Sequence, residues 1–392
     1  MMNFANRFAQ LQARKNQALF RQIQVNDAPT GRTFECNRQR YLNFSSNDYL
    51  GLAAHPLVIK AYQQGAASYG VGSGGSPLVT GFQRPHAILI EQLCDWLDRP
   101  AAILLNSGFA ANQLALKTLL GKGDLVVQDK LNHASLIDAA LSTAATSQRF
   151  LHNQPQSLAA RLQRSVASNR LVVTEGIFSM DGDAAPIAPI KAICQQQNAW
   201  LMVDDAHGLG VRGVQGRGSC AVAQINPDLL MATFGKALGV GGAMLSGSIE
   251  LMELFTNLGR EFIYSTAMPA AQACAVSAAI KLVRTTDLPQ ILIARIEQFK
   301  TLMQQTSWRL LPSDSAIQPL WVGQASTALA LSSSLREHGF WVSAIRPPTV
   351  PAGQARLRIT LTAAHTKDDI TRLVKALSCL ASVFNEANHG HH

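Results

Sequence analysis

Trp200-Leu-Met-Val-Asp-Asp-Ala-His-Gly208 reads as an apolar strand that runs into two aspartates, a histidine and a glycine. The strand itself is expected over Ala199–Val203. Five further runs share its form: Ala101–Leu105, Asp124–Gln128, Leu171–Thr174, Leu229–Thr233 and Gly242–Ser246. Each is short and apolar and gives way to polar or glycine-rich residues. Helix-like stretches of crossover length lie between several of them. Continuous apolar strands alternating with helices predict an α/β fold, with a mostly parallel mixed sheet covered on both faces.

The texture changes on either side of this block. After Pro269 comes an alanine-rich helical region, then strand-like runs at Ala316–Val322, Phe340–Ile345 and Ala355–Leu361. Helices at Ser326–His338 and Thr366–Val383 pack among them, which predicts a smaller α+β C-terminal domain. At the other end, Phe4, Phe8, Leu11 and Leu19 recur among polar residues, so an amphipathic helix is expected over Asn3–Gln24. A turn at Asp27–Gly31 and an extended stretch at Tyr41–Phe44 follow. The expected division is therefore 1–45 (helix and extended segment), 46–285 (large domain) and 286–392 (small C-terminal domain).

Composition narrows the function. With 392 residues, 47% hydrophobic and 15% charged, the chain is globular and too long for one compact core. Its longest apolar stretch, Ala270–Val283, is interrupted by Gln272, Ser277 and Lys281, so it reads as a packed helix and no membrane span is expected. The first residues, MMNFANRFAQLQARK, lack the apolar core of a secretory signal. Six scattered cysteines without a C-x-x-C pair fit reduced thiols in a cytoplasmic protein, with neither zinc nor a disulfide framework. The histidine-rich tail NHGHH reads as an exposed end, so no metal is expected. The net charge of +9 is spread out, without basic runs interleaved with aromatics. Nucleic-acid binding is not expected, whereas acidic substrates or an acidic carrier protein would suit such a surface.

Several segments carry residue types that do chemistry. In Thr233-Phe-Gly-Lys-Ala-Leu-Gly239 a lysine follows a strand in a glycine-flanked loop. By itself Lys236 is an ordinary solvated lysine or one able to form a Schiff base. Asp204 and Asp205 point to opposite faces, so they cannot share one task. Asp204 is the choice for a cofactor nitrogen, and Asp205 for a cap or ion pair. His207 is either a satisfied buried histidine or a partner for a ring hydroxyl. Leu105-Asn-Ser-Gly-Phe-Ala-Ala-Asn112 is a strand end, a turn and a helix start, so Gly108 and Phe109 form either an anion site or a plain capped turn. His133 follows another strand and could stack on an aromatic ring. Ser179, in Thr174–Asp183, offers a hydroxyl. Arg356 and Arg358 alternate on one strand face, one suited to a substrate carboxylate and one to a salt bridge.

Taken in this order, the segments resemble the α-oxoamine synthases, which are fold-type I enzymes of the pyridoxal-phosphate (PLP) dependent transferases. The resemblance runs from Tyr41 to about Thr362. It is carried by Ser45-Ser-Asn-Asp-Tyr-Leu-Gly51, Gly72-Ser-Gly-Gly-Ser76, Asn106–Asn112, Thr174–Asp183, Val203–Gly208 with Gly216-Arg-Gly218, and the lysine loop. It implies pyridoxal 5'-phosphate as cofactor, with Lys236 as the Schiff-base lysine and His133 over the ring. Asp204 would meet the ring nitrogen and His207 the ring oxygen. Ser179 and Thr233 would supply hydroxyls, and Gly108 and Phe109 backbone amides. Asn47 and Arg358 would hold an amino-acid carboxylate, with His133 close to it, and Arg21 and Thr349 would touch the acyl substrate. Ser265 or Thr266 would reach the phosphate of a neighbouring subunit, which implies a homodimer. The local sequences Asp204–Gly208, Thr233–Ala237, Ile263–Thr266 and Ile345–Pro351 are most similar to the branch that condenses L-alanine with pimeloyl-CoA or pimeloyl-acyl-carrier protein in biotin synthesis. A sister enzyme using glycine or serine with another acyl-CoA is the alternative. Pro77 and the loop Ala237-Leu-Gly-Val-Gly-Gly242 depart from the family's usual pattern, at positions able to reshape the acyl pocket.

Overall fold

The computed structural model describes residues 5–16 and 19–385. Strands β1 (Thr33–Cys36) and β2 (Gln39–Asn43) form a hairpin near the N-terminus. Seven strands then build the central sheet: β3 (Ala101–Leu105), β4 (Leu125–Asp129), β5 (Thr146–Phe150), β6 (Arg170–Glu175), β7 (Trp200–Asp204), β8 (Leu229–Thr233) and β9 (Ala243–Gly247). Their order is β3-β9-β8-β7-β6-β4-β5, and only the pairs made by β9 are antiparallel. The last strands are β10 (Ile317–Gly323), β11 (Phe340–Trp341), β12 (Ser343–Ile345) and β13 (Ala355–Thr360). β10, β13 and β12 form a second sheet, while β11 joins β2 in parallel.

The middle of the central sheet is apolar on both sides because β4, β6, β7 and β8 carry runs of consecutive apolar residues. Alternation sends Val127, Val172, Val203 and Ala232 into one core. Their neighbours Val126, Val173, Met202 and Met231 enter a second core on the other face. Helix Ala270–Thr285 lies against helix Pro56–Tyr69 so closely that a Cβ at Gly65 would sit 2.7 Å from the Cα of Ala271. The alanine-rich run is thus a buried helix, and no helix of the described residues is long and apolar enough to cross a membrane.

Three expectations need correction. Among the described residues the N-terminal helix covers Ala5–Asn16, the amide of Leu19 closes back on the Arg14 carbonyl, and residues 19–24 are not helical. Phe8 and Leu11 are exposed there, so no core face extends the helix; Phe4 lies outside the described residues. Phe340–Ile345 is two strands in two sheets, broken at Val342, whose carbonyl accepts from the Ser332 hydroxyl (2.6 Å). The polar strand β5, Thr-Ser-Gln-Arg-Phe, pairs only with β4 at the sheet edge, and its lack of an apolar run hid it from a pattern search.

Candidate active site

The carboxyl ends of β6, β7 and β8, with the turns after β3 and β4, enclose a cavity of about 210 Å³. One wall is the start of helix Gly108–Leu119, where the Ser107 hydroxyl accepts from the Ala110 amide (3.2 Å). Gly108 and Phe109 open that helix and line the cavity, together with Thr233 and Lys236 from the end of β8. Gly239 turns the lysine loop at φ 67°, and a Cβ there would lie 2.3 Å from the Ala53 amide nitrogen, so glycine lets the loop press against that segment.

Asp204 ends β7 at the cavity floor. Its Oδ2 accepts from Asn112 Nδ2 (2.9 Å) and its Oδ1 from the Ala206 amide (3.0 Å). Asp205 faces away and accepts from the Ser219 amide (2.7 Å), and burial raises its carboxyl to about 7. Glu175 ends β6 in register beside Asp204. Burial, reinforced by Asp204, pushes the Glu175 carboxyl well above the usual carboxylate range, and its Oε1 accepts from the His133 amide (2.5 Å). His133 caps helix Ala134–Leu141, its Nδ1 2.8 Å from the Ser135 hydroxyl, and burial lowers its imidazole. Burial also lowers the Lys236 ammonium to about 8, opposed by the charges of Asp204 and Glu175.

His207 is buried against the same cavity. Desolvation, then the charges of Lys236, Arg358 and His133, hold its imidazole well below the ordinary value, so it is neutral. Its Nδ1 lies 2.6 Å from the Tyr49 hydroxyl, which lies 3.4 Å from Asn47 Oδ1. Asn47 Oδ1 accepts in turn from both terminal nitrogens of Arg358 (3.2 Å each). Arg358 also donates to the Ser179 carbonyl (2.7 Å) and to the Thr360 hydroxyl (3.1 Å). Its neighbour on the same face, Arg356, forms a salt bridge to Asp181 (2.6 Å). A continuous polar path therefore runs from His207 through Tyr49 and Asn47 to Arg358.

The structure thus gathers Gly108, Phe109, His133, Asp204, His207, Thr233 and Lys236 around one cavity, with Asn47 and Arg358 joined beside it. Arg21 and Thr349 meet separately, through a 3.3 Å hydrogen bond on the surface. Ser179 is not among the cavity's lining residues; it contributes its carbonyl to Arg358. Ser265 and Thr266 line a different, smaller cavity, where the Thr266 carbonyl accepts from Asn106 (2.7 Å). Sequence reasoning missed Glu175, Asn112 and Tyr49. Glu175 was legible as a strand-end carboxylate, whereas Asn112 and Tyr49 act through partners far away in sequence. A larger cavity of about 550 Å³ lies between Gly182–Ala184 and the segment around Trp308 and Leu310–Ser315; its lysine, Lys300, is already ion-paired with Asp314, and none of the site residues named above lines it.

Comparisons with known proteins give the family and the fold. The model of the family "Aminotransferase class I and II" matches residues 39–377. The 8-amino-7-oxononanoate synthase of Pectobacterium atrosepticum is 52% identical over 370 residues, covering 94% of this chain and 96% of its own. Among solved structures, a serine palmitoyltransferase of Sphingomonas wittichii superposes with a TM-score of 0.93 at 27% identity, over 98% of this chain and 99% of that one. A serine palmitoyltransferase from S. paucimobilis with bound PLP and myriocin gives 0.91 at 26% identity, over 97% and 98%. With the fold, the strand-end lysine and near-full-length identity in accord, the chain belongs to the class I and II aminotransferase family and, within it, to the family of the 8-amino-7-oxononanoate synthases.

Proposed function

We propose that this chain is a pyridoxal-phosphate-dependent acyltransferase that joins L-alanine to a pimeloyl thioester, releasing CO2 and the free thiol and forming 8-amino-7-oxononanoate for biotin synthesis. The observation that carries the reading is the convergence of Lys236, Asp204 and His133 on one cavity, directly beside the Arg358–Asn47 pair. The residues present fit the cofactor. A helix start suits its phosphate, and an anchored carboxylate suits its ring nitrogen. A desolvated lysine suits its aldehyde, and the buried Asn112 Oδ1 has no hydrogen-bond partner among the described residues.

Bound pyridoxal phosphate supplies an electron sink for the bonds to the amino acid's Cα. Lys236 would hold the cofactor's aldehyde carbon, and its Nζ, freed when the amino acid binds, would take the Cα proton as general base. Asp204, fixed by Asn112 and Ala206, is the counter-charge that keeps a ring nitrogen protonated. His133 covers the ring and borders the substrate, and neutral His207 partners the ring oxygen. Gly108, Phe109 and Thr233 would serve the phosphate and ring substituents, and Ser179, outside the cavity lining, would act through Arg358. Asn47 and Arg358 hold the alanine carboxylate, which orients the bond to be broken, and Arg21 and Thr349 contact the acyl chain. Ser265 and Thr266, turned away from this cavity, serve the phosphate of a second copy in a homodimer. The central sheet lies wholly inside residues 46–285 and the β10-β13-β12 sheet inside 286–392, which supports a large cofactor domain and a small C-terminal one. The acyl donor is pimeloyl-CoA or pimeloyl-acyl-carrier protein, and the setting is cytoplasmic.

The likeness to serine palmitoyltransferases favours one second reading, a sister enzyme acting on glycine or serine. The visible spectrum of the purified holoenzyme separates the two. A cofactor band shifted selectively by L-alanine, with thiol and CO2 released once a pimeloyl thioester is added, is the expected result. Response to glycine or L-serine alone moves the chain to the sister activity, and no band after PLP is supplied overturns both.

A further inference from the structure

Asp129, His152 and Asp183 come from three separate segments and meet beside the active site. His152 Nδ1 lies 2.9 Å from Asp129 Oδ1, and its Nε2 lies 2.8 Å from Asp183 Oδ2. Burial alone would lower this imidazole, but the hydrogen bonds to Asp129 and Asp183 raise it to about 10, so it is a cation between two anions. Asn153 runs parallel to it, its amide donating to Asp129 Oδ2 (2.9 Å) and its Nδ2 to Asp183 Oδ2 (2.7 Å). The His152 ring stands edge-on to Phe178, 4.4 Å between centroids.

Each anion belongs to a segment that carries site residues. Asp129 ends β4 and shapes the turn that follows, accepting from the Leu131 amide (2.9 Å), and His133 is two residues on. Asp183 closes the loop whose Ser179 carbonyl takes Arg358 and whose Asp181 takes Arg356. The two segments therefore present a ring-covering histidine and the anchors of a carboxylate-binding arginine, and His152 joins them.

We propose that His152, by bridging Asp129 and Asp183, is a positioning residue that sets the distance between His133 and the Arg358 carboxylate site. The inference rests on the function proposed above. His152 is not among the residues that line the active-site cavity, so its effect passes through the backbone of residues 129–133 and 178–183. Its removal loosens the amino-acid site more than it weakens retention of the cofactor, which is held by other groups.

The test titrates wild-type, His152→Gln and Asp183→Asn holoenzymes with L-alanine while the cofactor's visible band is followed, alongside thermal unfolding and amide hydrogen exchange. Both variants are expected to keep PLP at one per chain, to bind L-alanine at least tenfold more weakly, and to raise KM for alanine more than they lower kcat. Exchange over residues 130–133 and 177–183 should quicken together. A variant that melts earlier yet binds L-alanine within twofold of wild type, with exchange in the two segments unchanged, overturns the proposal and leaves His152 a stabilising residue only. Asp183→Asn carries the test if His152→Gln does not fold. If wild type itself shows no response to alanine, the proposed function has failed, and the exchange data still decide whether the bridge couples the two segments.

Discussion

The carboxyl edge of the central sheet and the middle of β13 both bury charge, but they treat it in opposite ways. At the sheet edge Glu175, Asp204 and Lys236 share one cavity without a salt bridge among the described residues. There the Glu175 carboxyl is pushed up and the Lys236 ammonium down to about 8. On β13, Arg356 is paired with Asp181, and Arg358 is spread over Asn47, Ser179 and Thr360. Mismatched, displaced ionisations mark groups kept ready to exchange protons, whereas fully satisfied ones mark groups kept in place. The contrast assigns proton chemistry to the sheet edge and substrate alignment to the small sheet.

Lys236→Ala breaks the first half of that contrast with the largest expected effect. On the proposed function it removes both the covalent anchor and the base. Since a positioned base alone contributes about 10²–10⁴-fold, thiol release from a pimeloyl thioester should fall by at least about 10³-fold. Stability should not fall, because deleting a desolvated ammonium relieves a burial penalty. A thermal melt beside the thiol assay checks both parts. Measurable turnover within tenfold of wild type would place the chemistry on another group.

The two arginines of β13 sharpen the second half. Arg358→Leu strands Asn47 Oδ1, the Ser179 carbonyl and the Thr360 hydroxyl in a buried site, at roughly 1–3 kcal/mol for each group left unpaired. It should raise KM for L-alanine by about 10²-fold or more. Arg356→Leu leaves Asp181, whose side chain is 26% exposed and can be hydrated. It should cost stability but change that KM by less than about tenfold. Steady-state kinetics on both variants decide it, and equal effects on KM would erase the distinction between the two alternate positions.

How far the sequence alone reaches follows the same division. The inner strands of the central sheet were legible because burial on both faces forces apolar runs at their centres, and the lysine loop because a lysine between glycines at a strand end is a rare context. β5 was not, since an edge strand needs no apolar run. The N-terminal helix was read too long because Phe8 and Leu11 keep helical spacing without a surface to bury against. In the site, strand alternation separated Asp204 from Asp205 without saying which faces the cavity; Asp204 lines it, and Asp205 accepts from the Ser219 amide on the other side. Glu175, Asn112 and Tyr49 escaped because their roles arise between elements. Glu175 matters through its register with Asp204, Asn112 through a hydrogen bond spanning 92 residues, and Tyr49 through one spanning 158.

The smallest effect tests the displaced lysine itself, without any variant. On the proposed function, Lys236 of the cofactor-free protein would capture PLP through its neutral amine. With the ammonium lowered to about 8, roughly a tenth of the chains carry that amine at pH 7 and roughly nine-tenths at pH 9. The sign is fixed by the cause: burial disfavours the charged form, so the reactive fraction grows as pH rises and saturates early. Stopped-flow mixing of PLP with cofactor-free protein should therefore show a capture rate that climbs about tenfold between pH 7 and 9 and then levels. An ordinary, solvated lysine would keep climbing towards pH 10.5. That outcome would mean Glu175 and Asp204 hold the ammonium as a conventional ion pair, and the sheet edge would then resemble β13 after all.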